Sequence, residues 1–149
     1  MKKLLPQSNN LDTLIKVFIY FGNKKDCTVQ EIADFIEFEP RQAQYYLSAC
    51  IYLDLIDETP ELTEFGKSLF DEPALIKNKI YERIISDEVI GKIFAHLLLF
   101  NDELKEYSYK IIKNYYPDYS DAVIERRAST LLNWCKEIFK VLGENKHGK

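Results

Sequence analysis

Apolar residues return at helical spacing through most of this chain. Leu11, Leu14, Ile15, Phe18 and Phe21 share one face, and Asn10 is placed to cap the segment that carries them. The spacing predicts a helix over 11–21, ended by Gly22-Asn23 and followed by an exposed loop at Lys24-Lys25-Asp26. Thr28-Val29-Gln30-Glu31 has capping-box spacing and opens a helix to about Ile36, with Val29, Ile32, Ala33 and Ile36 turned inward. A short turn, Glu37-Phe38-Glu39, leads to Pro40 at the first position of a helix reaching about Leu53; the missing N–H costs nothing there. Leu55 to Leu62, interrupted by Thr59-Pro60, reads as a small β-hairpin and is the one convincing strand signal. Thr63 caps a further short helix to Phe70.

The second half is periodic from Ala74 to Phe100, broken into two helices at Ser86-Asp87. A loop at Asn101-Asp102, a helix over Leu104–Tyr115 and a turn at Pro117–Ser120 follow. The last helix is expected from about Ala122 to Leu142, stopped by Gly143, with a polar, frayed tail from Glu144 to Lys149. Asp71-Glu72-Pro73 is a short charged break, which divides the chain into modules 1–72 and 73–149. The expected fold is therefore mainly α: two tandem winged-helix or helix-turn-helix modules, with one small β-hairpin in the first.

Two segments repeat the same order of residue types. Arg41-Gln42-Ala43-Gln44-Tyr45-Tyr46-Leu47-Ser48-Ala49-Cys50 aligns with Arg126-Arg127-Ala128-Ser129-Thr130-Leu131-Leu132-Asn133-Trp134-Cys135, and Arg, Ala, Leu and Cys coincide. At about 100° per residue, Ala43, Tyr46, Leu47, Cys50 and Leu53 form one apolar face, as do Ala128, Leu131, Leu132, Cys135 and Ile138. The opposite faces carry Arg41, Tyr45, Ser48 and Tyr52, and Arg126, Thr130, Asn133 and Glu137, and DNA contact is expected at Arg41, Gln42, Gln44, Tyr45 and Ser48 and at Arg126, Arg127, Ser129, Thr130 and Asn133. An Arg in the first turn presents a planar fork of donors that matches the O6/N7 edge of guanine, and Gln44 has the pair of groups that reads adenine. Lys110 and Lys113, on the helix before the second copy, are placed for phosphates, since the first helix of such a pair crosses the backbone. The plain alternative is two solvated faces, with Arg126 and Arg127 bridging to Asp121 or Glu125.

Charge divides these two copies. The chain carries 20 Lys and Arg against 24 Asp and Glu, a net −4 that lacks the basic excess of a nonspecific nucleic-acid binder. Residues 1–72 hold 7 basic and 13 acidic groups, a net −6, and residues 73–149 hold 13 and 11, a net +2. Glu31, Asp34, Glu37 and Glu39, with Asp57, Glu58, Glu61 and Glu64, surround the first copy with acid, so the second is the better holder of phosphate.

Other chemistry is sparse. Tyr107, Tyr109, Tyr115, Tyr116 and Tyr119 cluster near the second copy, where packing at the core and rim is expected ahead of base stacking. Trp134 sits at the edge of its helix face. His96 in an apolar helix and His147 in the tail give no metal-ligand spacing, and no Gly-rich phosphate loop is present. Pro117-Asp118 is followed by Glu125 and by Glu137…Lys140 on a helix, at the wrong spacing for a metal-dependent nuclease. No catalytic residue, metal or cofactor is expected, and nuclease activity would need another domain or chain. Cys27, Cys50 and Cys135 suit reduced thiols in a cytoplasmic protein. Met1-Lys2-Lys3-Leu4-Leu5-Pro6 lacks the apolar core of a signal peptide, and no apolar run is long enough for a membrane span.

Thr28-Val29-Gln30-Glu31-Ile32-Ala33, Arg41 to Tyr46 and Tyr52-Leu53-Asp54-Leu55-Ile56 together resemble a winged-helix domain of type II restriction proteins. Ile124-Glu125-Arg126-Arg127 and the residues to Trp134 resemble the second signature of that region, so the resemblance spans about 10–142. It implies a DNA-recognition module whose cleavage domain is separate, with Arg41, Gln42, Gln44, Tyr45, Arg126, Arg127, Ser129 and Thr130 facing bases or backbone. The expected function is sequence-specific binding of double-stranded DNA, in restriction-modification or in transcription regulation. The reading leaves room for a nuclease or other protein partner and for a homodimer. A protein-interaction module that binds no DNA is the alternative, favoured by the acidic first half and the abundant aromatics.

Overall fold

The computed structural model describes residues 4–24 and 27–147. Met1–Lys3, the Lys25-Asp26 part of the expected loop, and the last two residues of the expected polar tail lie outside the described residues. Eight α-helices are described: α1 (Leu11–Asn23), α2 (Val29–Ile36), α3 (Pro40–Tyr52), α4 (Glu64–Leu69), α5 (Ile76–Ser86), α6 (Glu88–Leu99), α7 (Leu104–Tyr115) and α8 (Asp121–His147), with a 3₁₀ turn at Pro73–Leu75. None of these is long and apolar enough to cross a membrane. The chain divides into two compact units within α5, the first ending at Ile80 and the second beginning at Tyr81.

In the first unit, local capping sets the helix starts. Asn10 accepts from the Thr13 N–H at 3.0 Å, and the Thr28/Glu31 capping box closes in both directions at 3.1 and 3.2 Å. Glu37 ends α2 in the left-handed region at φ 59, and the Phe38 N–H reaches back to the Ala33 carbonyl at 2.9 Å. That backward bond satisfies a helix-end carbonyl and turns the chain into α3 within three residues. α1 packs on α2 and α3, burying Leu14, Val17, Phe18, Ile32, Ala43, Tyr46, Leu47 and Cys50. Each large apolar side chain so buried stabilises the unit by about 1.5–3 kcal/mol. Leu5 and Ser8, ahead of the first periodic stretch, are also buried.

α1 ends at Asn23, within the expected Gly22-Asn23 stop, and the Phe70 ring stands where a Gly22 Cβ would be, 2.2 Å from that position. The glycine therefore admits Phe70, which packs on Phe18 with ring centroids 5.2 Å apart. The β-hairpin is absent: among the described residues no strand forms, and Ile56 and Leu62 make one isolated bridge. The chain is all-helical, so the wing required by a winged-helix reading is missing with it. The cause is local. The Asp57 N–H bonds the Glu61 carbonyl at 2.7 Å, but the Glu61 N–H turns to the Asp57 carboxylate at 2.9 Å, as does the Thr59 N–H. A side chain thus takes donors that a ladder would need. Two residues on, Thr63 is already the cap of α4, accepting from the Gly66 N–H at 2.9 Å.

In the second unit, Asp87 caps α6 through the Val89 and Ile90 N–H groups, at 3.1 and 3.0 Å. α6, α7 and α8 pack against one another. α8 continues through Gly143 to His147, past the stop expected there. Because α6 and α7 both lie on it, α8 buries Ile124, Arg127, Ala128, Thr130, Leu131, Leu132, Trp134, Cys135 and Ile138. At 100° per residue these occupy roughly 200° of its circumference, far more than one packed neighbour covers.

Candidate nucleic-acid interface

α3 forms because Pro40 pre-sets its first turn and its apolar positions meet α1 and α2. Its outer face keeps the expected residues outside: Arg41, Gln42, Gln44 and Ser48 are exposed, and Tyr45 is half-buried. Arg41 Nε donates to the Tyr45 hydroxyl at 2.9 Å, with the guanidinium 5.9 Å from the ring centre. One donor is thereby fixed on a residue that is otherwise exposed. Around this face one acid is paired: Lys24 and Glu31 form an ion pair that holds the Glu31 carboxyl below its ordinary range. Asp57 is also held low, chiefly by the Thr59 hydroxyl, and so keeps its negative charge.

The second face is built by α7 and the first half of α8. The Tyr109 hydroxyl donates to the Asp121 carboxylate across the turn between them, and keeping that bond raises the Tyr109 pKa. Lys113 Nζ lies 5.8 Å from the Tyr109 ring centre. Beside this clamp opens a cleft of about 860 Å³, walled on α7 by Lys105, Glu106, Tyr109 and Lys110 and on α8 by Ala122, Glu125, Arg126, Ala128 and Ser129. Lys110, Arg126 and Ser129, expected from sequence, are brought together here. Lys105, Lys110 and Arg126 make no ion pair with a described residue. Lys113 lies at the margin, while Asn133 continues the exposed strip of α8.

Arg127 and Thr130 do not belong to this face. Arg127 is 8% exposed and Thr130 2%, on the arc that also buries Trp134, and the Arg127 guanidinium lies 5.8 Å from the Tyr119 ring centre. The paired reading of Arg126 and Arg127 fails because adjacent helical residues diverge by about 100°, which points one outward and the other inward. Lys105 was missed, although Lys105, Tyr109 and Lys113 recur at every fourth position, a legible stripe on α7. Lys136 and Lys140 are exposed on the same strip of α8 as Arg126. All five clustered tyrosines are half-buried at the rim; Tyr107 stacks on His96 at 4.0 Å and Tyr116 on Tyr119 at 4.7 Å.

Counted by compact unit, the first carries 9 basic and 13 acidic residues, a net −4, and the second 11 of each, a net of zero. The positive character of the second unit is thus local to the cleft and the α8 strip. Fold and site together define an all-helical protein of two compact units, the second bearing a cationic cleft. Residues 14–143 match the family described as a domain of unknown function (DUF7226), and the chain belongs to that family. No curated protein and no solved structure matches it.

Proposed function

We propose that this chain binds double-stranded DNA sequence-specifically, as the recognition part of a restriction-modification protein or as a related regulator. It acts in the cytoplasm and catalyses nothing by itself. The observation that carries the reading is the pair of exposed polar helix faces, each led by an Arg with hydrogen-bonding residues on the following turns. On α3, Arg41 held by Tyr45 reads a guanine edge, with Gln44 and Ser48 at the neighbouring bases. On α8, base contact falls to Arg126, Ser129 and Asn133, because Arg127 and Thr130 are inside. Lys110, Lys113 and Lys140 hold phosphates, supplying affinity without sequence information.

Selection from a random-sequence duplex library tests this. One enriched sequence, lost with Arg41→Ala and with Arg126→Ala while helix content is unchanged, supports the reading. Retention of no duplex, or of all duplexes equally, defeats it. A second reading, a protein-interaction module, is favoured by three consecutive exposed apolar residues: Leu98, Leu99 and Phe100, 51%, 75% and 64% exposed at the end of α6. Under that reading Arg126→Ala leaves partner binding intact.

A further inference from the structure

We infer that the α7–α8 cleft is a binding site for a free nucleoside phosphate. The inference stands on the cleft and goes beyond duplex recognition, although both employ Lys110 and Arg126. At about 860 Å³ the cleft falls within the roughly 300–1,000 Å³ typical of small-molecule sites, and far exceeds what a lone phosphate fills. Lys105 and Lys110 approach from α7 and Arg126 from α8, so an anion between the helices is met from both sides. With no described carboxylate pairing with them, a phosphate group supplies the missing counter-charge, and the planar guanidinium meets it bidentately.

The rest of the wall argues against a plain polyanion site. Glu106 and Glu125 line the same space and repel additional negative charge. As acceptors they suit N–H and O–H donors, which a nucleoside presents on its base and ribose, apart from the phosphate that the cations engage, and which inorganic phosphate cannot offer at such a separation. Ala122 and Ala128 leave room on the α8 side, and Tyr109, clamped to Asp121, forms a fixed aromatic wall. A ligand with a phosphate at one end and neutral donors at the other matches all of these groups. A duplex backbone, with phosphate on phosphate, engages the cations but leaves Glu106 and Glu125 without donors.

The test uses the full chain without DNA. Adenosine 5′-monophosphate, guanosine 5′-monophosphate, adenosine and inorganic phosphate are titrated separately, following amide chemical shifts and binding heat. We expect one of the nucleotides to bind at least tenfold tighter than both phosphate and adenosine, with shifts confined to α7 and the first turns of α8. Lys105→Ala with Arg126→Ala weakens it at least tenfold, at unchanged far-UV circular dichroism. Glu125→Gln narrows the preference over inorganic phosphate. Nucleotides binding no better than phosphate, or shifts elsewhere, overturn the inference. Duplex retention of the Arg41→Ala variant, altered outside the cleft, is measured independently, so either failure is told from the other. Should both readings hold, saturating nucleotide displaces duplex from the second unit.

Discussion

One substitution, glycine to alanine, is expected to have opposite signs at two helical positions. At Gly66 an added Cβ lies 2.1 Å from the Leu55 carbonyl oxygen and 3.3 Å from Thr63 Oγ1. Ordinary carbon–oxygen contact is about 3.3–3.6 Å, so α4 must withdraw by roughly 1.2 Å or more. The carbonyl cannot retreat freely, because it accepts from the Thr63 N–H at 3.2 Å. Withdrawal also stretches the cap from Thr63 Oγ1 to the Gly66 N–H. Overpacking of about 1–3 kcal/mol and a damaged cap of about 1 kcal/mol oppose a helix-propensity gain of about 1 kcal/mol, leaving roughly 1–3 kcal/mol of destabilisation. At Gly143 the new methyl meets nothing within 4 Å, in a helix that runs on to His147. There the propensity gain of about 0.5–1 kcal/mol is unopposed. Thermal unfolding followed at 222 nm should place Gly66→Ala on the order of 10 °C below the parent, and Gly143→Ala a few degrees above it. A Gly66→Ala protein melting at or above the parent refutes the packing of α4; a destabilised Gly143→Ala refutes the continuous α8.

Further expectations concern neighbouring or related residues. Arg127→Ala should cost about 1–3 kcal/mol by removing a buried side chain packed over Tyr119, whereas Arg126→Ala should stay within about 0.5 kcal/mol of the parent in urea titration. Equal effects at both positions would contradict their opposite placement. Glu37→Gly should stabilise by about 1 kcal/mol, since residue 37 is left-handed at φ 59 and its acid sits at the unfavourable end of α2. A lower melting point for that variant speaks against the turn geometry. Burial pushes the Cys50 and Cys135 thiols up to about 12 from an ordinary 9.0. A raised folded-state pKa gives stability that is complete below pH 9 and lost as pH rises toward 12. Native protein at pH 8 should therefore label quickly at Cys27 alone, and its unfolding midpoint should begin to fall above about pH 9. Rapid labelling of all three thiols would show those two sites to be open.

Much of the helical layout was readable because caps and periodicity agreed. Asn10, Thr28 with Glu31, Pro40 and Thr63 each mark a helix start, and every residue of the expected apolar stripe of α3 is buried, with Ala49 beside it. What failed depended on partners distant in sequence. The hairpin was lost to the Asp57 side chain, a competition invisible in β-propensity. The packing role of Gly22 went unread because nothing nearby in sequence announces the Phe70 ring. On α8 the expected outer face was right at Arg126, Ser129 and Asn133 but wrong at Arg127 and Thr130. One-sided periodicity cannot tell that a second helix covers the flank where Trp134 lies. The cleft needed tertiary structure: Lys105 and Arg126 meet only because the turn after α7 folds α8 back along it.

Affinity for duplex DNA as a function of salt tests the central claim most directly. Lys110, Lys113, Lys136 and Lys140 are all exposed, and four phosphate contacts give a log–log slope of roughly −3 to −4. Fluorescence anisotropy on the selected duplex between 50 and 200 mM salt should show a loss of affinity on the order of a hundredfold on that slope. Lys110→Ala should make it shallower by about 0.9. A flat salt dependence, or a slope indifferent to Lys110, would contradict duplex binding through this face.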